Sequence, residues 1–134
     1  MEIYIFAKFH VLEGKQGEAT EALKEVLGPT RNEPGCICIH AFRSVRDGRL
    51  FYIHSKWKDE EAFEIHAQLP HTVRFRKRME TLIDHAFDVT RTARIGDASE
   101  RGPAIHGRRE WAKYLSDTYP RGKLRPLRSS TIAS

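Results

Sequence analysis

LFYIHSKWKDEEAFEIHAQLPHTVRFRKR, residues Leu50 to Arg78, is the stretch whose reading decides the fold. It opens as a strand closed by Trp57, turns at Asp59-Glu60-Glu61 into a helix start, and breaks at Pro70-His71 into a second helix. Asp59 suits the cap position, where its carboxylate accepts from free backbone N–H groups, and Glu60 and Glu61 favour the positive end of the helix dipole. Ala62, Phe63 and His66 then share one face. Pro70 has no N–H to donate and ends that helix, and His71, Phe75, Met79 and Leu82 form the inward stripe of the next. One indole and two imidazoles are thereby placed around a single short region.

Upstream, Ile3, Ile5, Ala7 and Phe9 alternate with Tyr4, Phe6, Lys8 and His10, the pattern of a first strand with both faces partly covered. Ala19, Ala22, Leu23, Val26 and Leu27 recur at helical spacing, with Glu18, Glu21 and Glu25 outward. That helix is expected to fray near Gly28-Pro29, with at most a further turn to Asn32. Glu33-Pro34-Gly35 then turns the chain into a second strand, Cys36 to Ser44. Asp47-Gly48 signals a tight hairpin built on positive φ before the third strand. Downstream, Phe87 to Ile95 alternates as a last strand.

The order β-α-β-β-α-β predicts an α+β, ferredoxin-like fold with an antiparallel four-stranded sheet and helices on one face. Apolar residues on both faces of the first and third strands imply that the far face is also covered. A homodimer through the sheet face meets that need. Residues 1–95 form this domain. Residues 96–134 form a basic C-terminal extension, with a linker, a short helix at 108–116 and a tail of too little apolar content to fold alone.

The 134 residues carry a formal charge of +5, but the distribution decides what it means. From Gly96 onward, eight Lys/Arg against four acids account for +4, which leaves +1 on the first 95 residues. The domain therefore has no electrostatic footprint for nucleic acid. No apolar run reaches the roughly 20 residues of a membrane helix and no leader pattern opens the chain, so no membrane partner and a cytoplasmic location are expected. Cys36 and Cys38 alternate on one strand and read as reduced core thiols, without the adjacent base a nucleophile needs. No glycine-rich phosphate loop occurs.

Among the histidines, His66 is the candidate base or hydrogen-bond donor, because a titratable ring in an apolar pocket can work near neutral pH. The alternative is a core histidine bonded to a backbone carbonyl. His71, at a helix N-terminus, is the candidate helper that orients a substrate carbonyl, or else merely caps the turn after Pro70. Trp57 reads as a core anchor, or else as a stacking platform. The Trp57 indole needs a hydrogen-bond partner if buried. His40 and His54 alternate with Cys36, Cys38 and Tyr52 on neighbouring strands, but no carboxylate-rich or HExxH spacing accompanies them, and no metal site is expected.

Taken together, Glu33-Pro34-Gly35-Cys36, the strand ending at Trp57, Asp59-Glu60-Glu61-Ala62-Phe63 and the spacing of His66 to Pro70-His71 resemble the antibiotic biosynthesis monooxygenase (ABM) family, over about residues 1–95. The resemblance implies a dimeric α+β barrel with a pocket in each subunit. It also implies a cofactor-independent monooxygenase acting with O2 on a small quinol, phenol or enol, with His66 as proton acceptor or anion partner, His71 as its helper, and Trp57, Phe63, Phe75 and Met79 as pocket walls. A substrate that loses its proton becomes electron-rich enough to reduce O2, so such a site needs a base, a donor for the anion and a dry pocket.

Haem-degrading relatives carry tryptophan where His66 stands, histidine where Arg76 stands and asparagine in the first strand, so haem degradation is disfavoured. Ser55 replaces the glutamate many members place two residues before the aromatic that closes the third strand. Phe51-Tyr52-Ile53, Lys58-Asp59-Glu60 and Pro70-His71 are also similar to the branch that isomerises a phosphorylated linear dione from autoinducer-2 processing, with Arg43 or Arg74 as candidate phosphate partners. A non-catalytic, dimeric small-ligand binding or stress-response module is the third reading.

Overall fold

The computed structural model describes residues 1–96 and 107–119. The chain divides between Ile95 and Gly96 into two units. In the first, β1 (Ile3–His10), α1 (Gln16–Arg31), β2 (Cys36–Arg43), β3 (Leu50–Trp57), α2 (Glu60–Gln68), α3 (Pro70–Glu80) and β4 (Asp88–Thr92) follow one another. The sheet order is β2-β3-β1-β4, every neighbouring pair is antiparallel, and the sheet is open. This is the α+β, ferredoxin-like arrangement, with the second helix of the motif broken in two at Pro70. In the second unit, α4 (Arg108–Thr118) sets Trp111 edge-on against Tyr114. The linker at 97–106 and the tail from residue 120 lie outside the described residues.

The inward face of β1 and β3 shows where the core sits and where it thins. Ile3 pairs with Trp57 at one end of the sheet, and Phe9 with Phe51 at the other. Around the first pair Ile5 and Ala62 form one buried cluster. Around the second, Val11, Ala19, Ala22, Leu23, Met79 and Leu82 form another. Between them lie the register pairs Ile5–Ser55 and Ala7–Ile53, in which the small Ser55 and Ala7 leave room above the middle of the sheet. Phe9 stacks on Phe51 with centroids 5.5 Å apart and meets Phe87 edge-on at 5.0 Å, so that end is closed by aromatic packing.

Three local expectations are corrected. α1 does not fray at Gly28-Pro29 but takes the further turn its sequence allows and runs to Arg31, with Asn32 as its cap. Its last turn is held by the buried Thr30, whose hydroxyl donates to the Val26 carbonyl at 2.7 Å, and by Arg31, which donates to the Ile39 carbonyl at 3.1 Å. The β2–β3 hairpin exists, but neither Asp47 nor Gly48 has positive φ. The loop instead closes by Ser44 Oγ accepting from Arg46 and Asp47, and by Asp47 Oδ1 accepting from the Arg49 N–H at 3.0 Å. β4 spans only Asp88–Thr92, because it is an edge strand paired along five residues of β1 and Phe87 turns into the core instead of continuing the ladder.

α2 begins as its sequence requires: Asp59 Oδ1 accepts from the Ala62 N–H at 2.8 Å, a cap of the kind that contributes about 1 kcal/mol. Gly35 lets that helix approach β2. Its carbonyl accepts from Lys58 N–H at 3.0 Å, and a Cβ at residue 35 would overlap the Cβ of Ala62. Gly35→Ala is therefore expected to destabilise the fold by ~1–3 kcal/mol, the usual cost of overpacking, read as a lower urea midpoint. A midpoint equal to that of the unaltered chain would show that α2 does not pack against Gly35.

Candidate active site

The turn just past α1 delivers Glu33, the end of α2 delivers His66, and the start of α3 delivers His71. Nδ1–H of His66 and Nε2–H of His71 both donate to Oε2 of Glu33, each at 2.8 Å. Thr72 Oγ1 lies 3.2 Å from the same nitrogen of His66. The three side chains are largely buried, Glu33 most deeply, at 8 % exposure. A carboxylate accepts only, so the proton of each contact sits on the ring, and a neutral His66 leaves Nε2 with a lone pair. Nε2 makes no hydrogen bond to any described residue.

His66 lines a cavity of about 180 Å³ over the thin middle of the sheet. Ala7, Ile53, Ser55, Phe63, Phe75 and Arg76 are among its other walls. Burial pulls the His66 pKa below 6.5. Glu33 works against that shift, and the charges of His71 and Arg76 reinforce it. The neutral ring is therefore the form that faces the cavity at neutral pH. The Arg76 guanidinium is held at the rim by donating to the Ala67 carbonyl at 3.1 Å.

The expected residues are thus distributed unevenly. Phe63 and Phe75 line the cavity. Trp57 and Met79 do not: both are fully buried, Trp57 in the cluster at one end of the sheet and Met79 in the other. Trp57 stands behind the wall, its indole N–H donating to Ser55 Oγ at 2.9 Å and its ring 4.6 Å from that of His66. Ser55, in the position of the missing carboxylate, is occupied by this bond. His71 opens instead on a separate groove of about 210 Å³ between α1 and α3, beside Arg74 and Arg78. Arg43 is tied to the hairpin by donating to the Gly48 carbonyl at 2.7 Å.

The partner of His66 is a carboxylate, not the backbone carbonyl of the core-histidine alternative. The sequence pattern places Glu33 in a turn and in the family-like Glu33-Pro34-Gly35-Cys36 motif, and gives Glu33, Arg76 and Thr72 no part in the site. The one available signal for Glu33 was its position just past a helix that meets the broken α2–α3 pair. Glu33, His66 and His71 are also the one group among the described residues whose potential metal-ligating atoms all lie within 4.8 Å of one another. His40 and His54 face each other in register across β2 and β3, with no third metal-ligating side chain grouped with them among the described residues. Burial pushes the Cys36 thiol up to about 11, which suits an inert core thiol.

Comparison with known proteins adds the lineage. The model of the antibiotic biosynthesis monooxygenase family matches residues 2–78. The chain belongs to this family. The match spans Glu33, His66, His71, Thr72 and Arg76 and ends before β4. Among solved structures, Rv0793 from Mycobacterium tuberculosis superposes with a TM-score of 0.70 at 22 % identity, covering 74 % of this chain and 100 % of that one. PA3566 from Pseudomonas aeruginosa gives 0.67 at 24 %, covering 71 % and 95 %. SO0527 from Shewanella oneidensis gives 0.64 at 28 %, covering 68 % and 88 %. No curated protein matches the chain. Within this ABM fold, the cavity is bounded by both helices of the broken pair and by the sheet.

Proposed function

We propose that this ABM protein is a monooxygenase that uses O2, without a cofactor, on a small phenol, quinol or enol held in the cavity. One observation carries the reading: His66 lines an apolar cavity with Nε2 unpartnered, while Glu33 engages its other nitrogen. A substrate hydroxyl in the cavity gives its proton to Nε2, and Glu33 stabilises the imidazolium that forms. Arg76 at the rim offsets the negative charge left on the substrate oxygen. The electron-rich anion then reduces O2. One oxygen atom enters the carbon skeleton and the other leaves as water, with the electrons drawn from the substrate. His71 acts through Glu33.

Size narrows the substrate. A cavity of ~150 Å³ admits benzene, so about 180 Å³ fits a one-ring phenol or quinol. With hydroquinone as probe, an oxygen electrode is expected to record uptake by the full chain, and His66→Gln is expected to lower kcat/KM by about 10²–10⁴-fold. Equal rates for the two proteins would remove His66 from the chemistry. Rearrangement of an enolisable probe under argon would place the protein with isomerases. Thermal stabilisation by ligands without any turnover would make it a binding module.

The outer face of the sheet supports a homodimer. Phe6, Phe42 and Tyr52 lie there 52 %, 53 % and 41 % exposed, around the His40–His54 pair. Burying each aromatic ring contributes roughly 1.5–3 kcal/mol, and such a patch left in water invites association. Light scattering after gel filtration is expected to give twice the chain mass, reduced to one chain by Phe6→Lys with Phe42→Lys. A monomeric unaltered protein would contradict this. No helix among the described residues is long and apolar enough to cross a membrane.

A further inference from the structure

Glu33, His66 and His71 present two imidazole nitrogens and one carboxylate oxygen from three different elements, converging on one point. We propose that these three side chains form a site for a divalent transition-metal ion of the zinc type, and that filling it converts His66 from a proton acceptor into a donor. The binding stands on geometry alone; the conversion rests on the oxygenase reading above.

The ligand set comes close to what such an ion needs. Two ligands each about 2.0–2.2 Å from zinc sit roughly 3.0–3.5 Å apart. Oε2 of Glu33 already lies 2.8 Å from each imidazole nitrogen, and all three atoms fall within 4.8 Å of one another. An ion there asks the two imidazole nitrogens, which lie within 4.8 Å of each other, to settle at that ligand spacing by side-chain rotation. Imidazole with carboxylate selects zinc, iron, nickel or copper over magnesium, which prefers oxygen ligands and keeps its waters. Three protein ligands leave a position for water. Glu33 also borders a groove of about 370 Å³ whose other walls include Lys58, Asp59 and Glu61.

A second cluster makes the contrast. His10 meets Asp84 through Nδ1 at 2.5 Å and Asp47 through Nε2 at 3.1 Å. Those contacts use opposite sides of one ring, so the two carboxylates cannot share an ion with it.

The consequence for His66 follows from proton count. A metal on Nδ1 takes that nitrogen's lone pair, so the single proton of the neutral ring resides on Nε2. Nε2 then donates a hydrogen bond and no longer accepts the substrate proton. Metal occupancy and base catalysis by His66 exclude each other.

The test uses the full chain after dialysis against chelator. Titration calorimetry with ZnCl2 is expected to show one saturable site per chain, with Co2+ giving visible bands of an N/O-ligated ion and MgCl2 giving no binding. Glu33→Ala and His71→Ala are each expected to weaken zinc at least tenfold and abolish the cobalt bands, whereas His10→Ala binds as the unaltered chain does. Circular dichroism identifies a variant that fails to fold, in which case the other decides. No saturable zinc binding, or cobalt bands that persist in His71→Ala, would overturn the site. Turnover of hydroquinone is expected to fall in parallel with zinc occupancy, and full turnover with the site filled would overturn the conversion. Absence of turnover before zinc is added would refute the oxygenase reading and leave the binding result intact.

Discussion

Oε2 of Glu33 accepts hydrogen bonds from two imidazoles at 2.8 Å each, and the ends of three helices meet at that atom. A carboxylate this deeply buried is costly unless its hydrogen bonds are made, because removing one partner leaves a desolvated charge. The surrounding architecture supplies them. α1 must run through Pro29 to carry Glu33 inward, and Thr30 and Arg31 secure that extra turn. α2 must stop at Pro70, so that His66 ends one helix and His71 begins the next within reach of the same oxygen. Gly35 must lack a side chain, so that α2 can come close enough.

Glu33 also connects two separate spaces. His66 belongs to the apolar cavity above Ala7 and Ser55, and His71 to the groove beside Arg74 and Arg78. The cavity exists because large residues crowd both ends of the inward sheet face while small ones occupy its centre. Burial there keeps His66 neutral, and Glu33 decides which of its nitrogens carries the proton. Proton acceptance and metal ligation are two uses of one tautomeric choice: each requires a lone pair, but on opposite nitrogens of the ring.

Much of the fold is legible in the sequence because it is local. Strand alternation in Ile3–His10, the Asp59 cap and the Pro70 break each express an interaction within a few residues, and each appears in the structure. The site is less legible. Helical spacing shows that Met79 points inward but not at which end of the sheet it lands, and the same holds for Trp57 on β3. Glu33 meets His66 and His71 across more than thirty positions, a pairing that periodicity does not encode. At Asp47-Gly48 the side chains of Ser44 and Asp47 supply the turn's hydrogen bonds, so the positive φ suggested by the dipeptide is not needed.

The central claim is that His66 faces the cavity as a neutral ring protonated at Nδ1. The most direct measurement is the ¹⁵N–¹H NMR correlation spectrum of its imidazole in the metal-free full chain, followed with pH. The account predicts a protonated Nδ1 and an unprotonated Nε2 at neutral pH, with a titration midpoint below 6.5. A ring protonated at Nε2, or a midpoint above 6.5, would contradict it.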